Sequence, residues 1–364
     1  MTLLSTFACL LALWSCSSDK EDSTPSTIDV SPTEISVGYQ ESINNLTINS
    51  DLEWTAFSDD ASKEWISCKM IDGGAKGTVQ ITIKANTTYQ SRKGEVVVKA
   101  GSARTYIPVV QDAKPEAPVD PDIIAPEGYR LVWNEEFTDG ASPDPDKWYY
   151  ETGGDGWGNH ELQHYVAGNQ GDEQLAPIKE GILNIIAKKI DGKVYSIRLN
   201  TKESWKYGYF EARLKLPKGK GTWPAFWMMP KNYTAWPDDG EIDIMEEVGY
   251  NPNYVSSAIH CKAYNHSIGT QKTKDVLEPT AQTEFHLYAL KWTEDYICTY
   301  VDGKELLRFE NDKENKKDSW PFNAPFYIKL NLAWGGDWGG AQGVDESALP
   351  ATYEIDYVRV FQQK

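Results

Sequence analysis

At 364 residues the chain is long enough for two domains, and a hydrophobic fraction of 40% suffices for ordinary cores. A formal net charge of −18 excludes nucleic acid as a partner and argues against an acidic or sulfated polymer as a substrate, because such polyanions favour a basic groove. Fourteen Trp and twenty Tyr exceed what cores of this size need.

From the N-terminus, Leu3 to Trp14 is apolar, the length of a signal h-region and too short to span a membrane. Leu13-Trp14-Ser15-Cys16 resembles a bacterial lipobox, which implies a signal peptide over 1–15 and lipidation of Cys16. No Lys or Arg precedes the apolar run, and an upstream start codon would supply the usual positive charge. Residues 16–26 are polar and acidic and are expected to form a flexible tether. The pattern looks like the export signal of surface lipoproteins of Bacteroidetes, which implies an outer-membrane lipoprotein at the cell surface of a Gram-negative bacterium. Cys68, Cys261 and Cys298 are then left, an odd number whose spacing suits neither zinc nor a disulfide framework. They are expected to be buried thiols.

Residues 27–113 predict seven short strands: Ile28–Ser31, Glu34–Val37, Asn45–Ile48, Glu53–Phe57, Val79–Ala85, Gly94–Lys99 and Thr105–Gln111. That is the count of a small immunoglobulin-like β-sandwich. Trp54, Trp65-Ile66, Asn86, Arg92 to Gly94 and Val109-Val110-Gln111 resemble the BACON domain of surface glycan-utilisation proteins. The resemblance suggests carbohydrate binding, but a small sandwich also needs a buried Trp, and a spacer role is the stronger expectation. Residues 114–125 carry Lys114-Pro115-Glu116-Ala117-Pro118-Val119-Asp120-Pro121, which reads as a stiff linker.

From 126 to 364 short alternating or β-branched runs recur between turn signals: Ile182–Ala187, Tyr195–Leu199, Gly208–Leu216, Val255–Cys261, Phe285–Trp292, Ile297–Val301, Phe326–Leu332 and Tyr353–Phe361. Asp191-Gly192 and Asp302-Gly303 are hairpin dipeptides. No long stretch has helical apolar spacing, so a sandwich or barrel is expected.

Within this segment Gly240-Glu241-Ile242-Asp243-Ile244-Met245-Glu246 sets three carboxylates on one predicted strand. Glu241 and Asp243 share a face, whereas Glu246 lies five residues from Glu241 and would point the other way. A β-bulge at Ile244-Met245 would return Glu246 to that face. Acids alternating on a strand ordinarily form a solvated face, but Trp223, Trp227 and Trp236 crowd beside these. Indoles stack on sugar C–H faces while carboxylates and amides bond hydroxyls. A retaining glycosidase needs two carboxyl groups about 5–5.5 Å apart, one ionised and one protonated. Asp243 between them would position the nucleophile and raise the pKa of Glu246.

The run from Trp205 to Glu246, with Trp133-Asn134-Glu135-Glu136-Phe137, Gly156 to Gln163 and Asp356 to Val360, resembles glycoside hydrolase family 16 and its laminarinase-type β-glucanases. The resemblance implies an all-β fold, a β-jelly-roll sandwich with an open concave cleft behind the immunoglobulin-like unit. By position it implies Glu241 as nucleophile, Glu246 as acid/base and Asp243 as assisting carboxylate. Met245 matches the bulged branch of the family, which includes laminarinases, agarases and carrageenases. Trp223 and Trp227 would line sugar subsites, Asn159 would bond a glycone sugar, and His260 would sit beside the acid/base. Trp157-Gly158-Asn159 and the loop Trp334 to Gly340 are the expected cleft rims, with Trp236, Trp334 and Trp338 against substrate. Family 16 resemblance further implies a structural Ca²⁺ held by oxygens of Glu136 and Asp356, each otherwise a solvated surface acid; catalysis by two carboxylates needs no metal.

The expected function is that of a retaining endo-β-glucanase on laminarin or mixed-linkage glucan, anchored in the membrane through Cys16 and working beside other surface glycan-utilisation proteins. Two alternatives remain at this point. One is a non-catalytic glycan-binding protein, which would be expected to lack one carboxylate; the other is the same scaffold acting on agarose-type galactan.

Overall fold

The computed structural model describes residues 27–86, 88, 90–114 and 123–364. The expected signal peptide over 1–15, Cys16 with the expected tether, and residues 115–122 of the expected linker lie outside the described residues. Two compact units divide the chain, Met1–Glu116 and Ala117–Lys364.

In the first unit two four-stranded sheets share one core. One runs Ile28–Ser31, Ser42–Ser50, Lys76–Ile83, Ile66–Asp72, and the other Ile35–Val37, Ala103–Gln111, Arg92–Ala100, Trp54–Ser58. Alternation decides which residues enter. Along Ser42–Ser50, Leu46 and Ile48 are buried while Asn45, Thr47 and Asn49 face out. Eight strands form where seven were expected. The unanticipated one, Ile66–Asp72, buries Ile66 but leaves Met70 and Ile71 exposed, so it carries no clean alternating signal. Trp54 lies in the core and donates from Nε1 to the Gly74 carbonyl at 2.9 Å. Trp65 packs at the core's edge, with the Arg92 guanidinium 4.3 Å from its ring.

The second unit is a sandwich of two larger sheets. A seven-stranded antiparallel sheet runs Trp148–Tyr150, Arg198–Thr201, Phe326–Trp334, Thr222–Pro230, Glu241–Glu246, Tyr254–His260, Lys272–Leu277. A ten-stranded sheet is organised around Ala351–Gln363, which pairs with Ile182–Ile190, Gly208–Lys215 and Tyr129–Glu135. Between them the apolar faces meet. Trp292 and Phe210 of the larger sheet stand 5.2 Å from Phe326 and 6.2 Å from Trp292 respectively, ring to ring. Phe226, Met228, Ile242, Ile244, Ile328 and Leu330 close the layer from the other side, all fully buried.

Both hairpin dipeptides form turns, with φ of 49° and 81° at Asp191-Gly192 and 47° and 74° at Asp302-Gly303. Positive φ at both central residues matches the right-handed twist of the flanking strands. The predicted strand Tyr195–Leu199 is divided. Lys193–Ser196 belongs to the larger sheet and Arg198–Thr201 to the smaller one, so the chain changes layers at the buried Ile197. Lys272–Leu277, an edge strand with every residue exposed, has no apolar face to announce it.

Thr222–Pro230 shows how the sheet positions a site. Phe226 and Met228 point inward, while Trp223, Ala225, Trp227 and Met229 line the opposite, cleft-bearing face. Truncation of Phe226 to Ala is expected to cost about 3–5 kcal/mol, measured by chemical denaturation. An unchanged midpoint would show that this face is not core.

Candidate active site

Glu241–Glu246 begins after Gly240, whose φ of 89° turns the chain into the sheet. In the ladder Asp243 pairs with Ala258 and Glu246 with Ser256, so Ile244 and Met245 together oppose Ser257 alone. On the other side Trp227 pairs with Asp243 and Phe226 with Met245, again with one residue too many. This is the β-bulge, and both of its residues are fully buried. Ser257 secures it, donating from Oγ to the Asp243 carbonyl at 2.7 Å and accepting from Thr299 Oγ1 at 2.9 Å. Glu241, Asp243 and Glu246 consequently line the same cleft.

Crowding and burial set the protonation of the three acids. Burial raises Glu241 to about 8, with the neighbouring Asp243 adding to the shift. Glu246 is likewise raised to about 8 by burial first and Asp243 second, although Trp223 donates from Nε1 to its Oε1 at 2.9 Å and opposes the change. Asp243, 4% exposed, is pushed well above the usual carboxylate range by burial. Burial therefore favours the protonated form of each acid at neutral pH, so a proton is at hand for donation, and attack requires one of the three to ionise.

His260 faces Glu241 across the ladder. Its Nε2 lies 3.3 Å from Asp243 and 4.0 Å from Glu241, and its influence reaches Glu246, whose proton affinity it lowers. In the ladder Glu246 is opposite Ser256, four residues before His260.

The cleft extends to both sides of the acids. One side is lined by Trp157, Arg198, Trp227, Tyr233, Trp236 and Asn331, the other by Ser256, His260, Gln271, Thr273, Asp275 and Trp338; Asn159 and Trp223 line both. Trp227 is held by its Nε1, which donates to Asn331 Oδ1 at 2.6 Å. Asn331 donates to Tyr165 Oη at 3.2 Å, and Tyr165 donates to Glu161 at 3.3 Å. Arg198 and Lys329 each stand 5.0 Å from the Trp227 ring, and Glu151 pairs with both at 2.7 and 2.6 Å. Burial, aided by Arg198, lowers Lys329 to about 7.

Trp236 packs against His266, ring centroids 4.8 Å apart, and Trp338 meets Trp223 edge to face at 5.4 Å. The rim carrying Trp338 docks on the rim carrying Asn159, with the Asp337 amide donating to the Asn159 carbonyl at 2.7 Å. Gly336, at φ 78°, permits this approach, since a Cβ there would lie 2.8 Å from the Asn159 oxygen. Trp334 departs from expectation. It is 1% exposed, at the end of a strand whose alternation turns its ring into the core and away from the cleft.

Glu136 and Asp356 do not fit a shared cation. Arg359 binds both oxygens of Glu136, at 2.9 and 2.8 Å, and Arg213 binds Asp356. Each carboxylate is already matched by a guanidinium.

Sequence reasoning missed Glu161, Arg198, His266 and Asn331. Lys329 and Asn331 did leave a signal, two polar residues inside the apolar run Phe326 to Trp334, because buried polar groups require partners. Arg198 and His266 left none.

Comparison with known proteins agrees with this arrangement. The family model for glycosyl hydrolases family 16 matches residues 163–359, and the BACON model matches residues 53–112. A β-glucanase of Rhodothermus marinus is 47% identical over 247 residues, covering 64% of this chain and 85% of that protein. Among solved structures, the laminarinase from Rhodothermus marinus superposes with a TM-score of 0.62 at 46% identity, over 65% of this chain and 98% of that one. A non-specific endo-β-1,3(4)-glucanase from family 16 gives the same TM-score at 43% identity, covering 66% and 94%. These neighbours place the second unit among the jelly rolls.

Because the folded state raises the pKa of Glu241 from 4.5 to about 8, it favours the neutral carboxyl, and stability falls as pH rises from the lower value to the higher. Glu241→Gln removes that titration. Its free energy of unfolding at pH 7 is expected to exceed that of the unaltered chain by about 0.5–2 kcal/mol, with the gain vanishing near pH 4. A constant difference across that range would show that the charge is not the cause.

Proposed function

The chain belongs to glycosyl hydrolases family 16, and on that basis we propose that it is a retaining endo-β-glucanase cutting internal β-1,3 or β-1,4 bonds of laminarin or mixed-linkage glucan. The observation that carries this reading is the position of Glu241, Asp243 and Glu246 at the junction of two adjoining lobes of one cleft. A groove that continues past the acids in both directions accepts a polymer in mid-chain.

In the proposed reaction Glu246, kept protonated by burial and by Asp243, gives its proton to the glycosidic oxygen as the bond breaks. Glu241 attacks the anomeric carbon and forms a covalent glycosyl-enzyme. Glu246, now ionised, takes a proton from water as the water oxygen attacks the anomeric carbon and displaces the Glu241 carboxylate, which releases the sugar with its β configuration. Asp243 raises the proton affinity of both neighbours and passes no atom. Trp223, Trp227 and Trp236 stack sugar faces, and Asn159 bonds a glycone hydroxyl.

Attachment to the outer membrane through lipidated Cys16, with the first unit between anchor and enzyme, belongs to the same proposal; it rests on the lipobox-like Leu13 to Cys16. The burial of Trp54 supports a spacer role for that unit. Presence of all three carboxylates in one cleft speaks against a purely binding protein.

Product analysis on laminarin, barley β-glucan, lichenan and agarose tests the substrate class; oligosaccharides from agarose alone would overturn it. Proton NMR of the first products is expected to show the β-anomer, and an inverted product would rule out double displacement. Glu246→Gln is expected to lower kcat by about 10²–10⁴. In kcat/KM against pH the alkaline limb is expected well above 4.5, and Asp243→Asn is expected to move it down, since Asp243 raises Glu246.

A further inference from the structure

Glu241, Asp243 and His260 bring one ligand atom each to within 4.8 Å of one another. A four-coordinate ion with ligand bonds of about 2.0–2.2 Å has edges of roughly 3.3–3.5 Å between its ligands. The Asp243–His260 edge is 3.3 Å and the Glu241–His260 edge 4.0 Å, the first already at the tetrahedral value and the second about half an ångström above it. Two further observations point to a ligand. Asp243 and His260 are 4% and 6% exposed, and Asp243 Oδ2, the oxygen turned toward the imidazole, has no hydrogen-bond partner. All three residues line the cleft, from which a fourth ligand can come.

We propose that these three residues form a reversible inhibitory site for Zn²⁺ or a similar borderline-soft divalent cation. One imidazole with two carboxylates suits such ions, whereas Ca²⁺ and Mg²⁺ require more oxygen ligands than the cleft floor offers. His260 Nδ1 has no hydrogen-bond partner. A histidine without that outer support binds a metal about 10–100-fold more weakly than a supported one, which makes the cation a transient inhibitor and not a resident cofactor. Its inhibitory effect rests on the proposed role of Glu241: a carboxylate whose lone pair is held by a cation cannot attack the anomeric carbon. Sugar and cation then compete for one space.

Cobalt(II) serves as the probe, because four-coordinate cobalt absorbs visibly and reports binding without any turnover. The metal-free full chain is expected to develop this band and to lose it on addition of Zn²⁺ or of a laminarin oligosaccharide. His260→Gln and Asp243→Asn, each checked for fold by circular dichroism, are expected to abolish it. His286→Gln is expected to leave it intact, which separates the site from the distant Glu278, His286 and Asp302 cluster. In assays on laminarin, Zn²⁺ is expected to raise KM at unchanged kcat, and His260→Gln to raise the half-inhibiting concentration more than the about 10–100-fold that loss of an outer partner costs. Absence of the band, or its survival in His260→Gln, overturns the proposal. A band that behaves as expected in a protein without glucanase activity leaves the cation site standing and removes the functional reading instead.

Discussion

Three carboxyl groups on one six-residue strand, placed where water is scarce, are the constraint around which the catalytic unit is arranged. Asp243 raises the proton affinity of Glu241 and Glu246, Glu246 adds to that of Glu241, and burial raises all three. Such a cluster is tolerable only if the backbone beneath it is rigid and some of the acids remain neutral. The bulge supplies the geometry, and Ser257 and Thr299 fasten it from the adjoining strand and from the opposite sheet. Behind the bulge Ile244 and Met245 both enter the core, so the extra residue is held by packing as well as by hydrogen bonds.

Opposite charge is kept near the acids but out of direct pairing. Arg198 and Lys329 sit under Trp227, and Glu151 pairs with both. Were either cation to bond Glu241 directly, the carboxylate would be stabilised and its proton affinity lost. With Glu151 as their partner the two cations instead back an indole, whose other contacts run through Asn331 and Tyr165 to Glu161. The Trp227 ring is thereby fixed without a cation bonded to the acids beside it. The two rims are joined in the same spirit, by backbone hydrogen bonds that need glycine at 336.

The first unit solves a simpler problem. In a sandwich of under ninety residues the core is small, and Trp54 fills it while meeting its one polar requirement at Gly74. Arg92 covers Trp65 and also bonds Gln111 and the backbone at Lys84 and Ala85. Landmark residues of this unit thus have identifiable structural work.

Residues close in sequence determined by themselves what depends on a strand's period of two. The spacing Glu241, Asp243, Glu246 demands a bulge if all three are to act together, and the alternation of Trp223 and Trp227 with Phe226 and Met228 assigns one face to ligand and the other to core. Asp-Gly dipeptides located hairpins for the same local reason. Tertiary structure alone decided what rests on register between distant segments. It set His260 against Asp243 and Glu241, buried Trp334, split Tyr195–Leu199 between two sheets, and gathered Arg198 and Lys329 from two strands with Glu151 from the end of a third. It also engaged Glu136 and Asp356 with arginines. None of these follows from a local pattern, because each depends on which strand lies beside which, and that choice is made by the packing of two whole sheets rather than by the residues on either side.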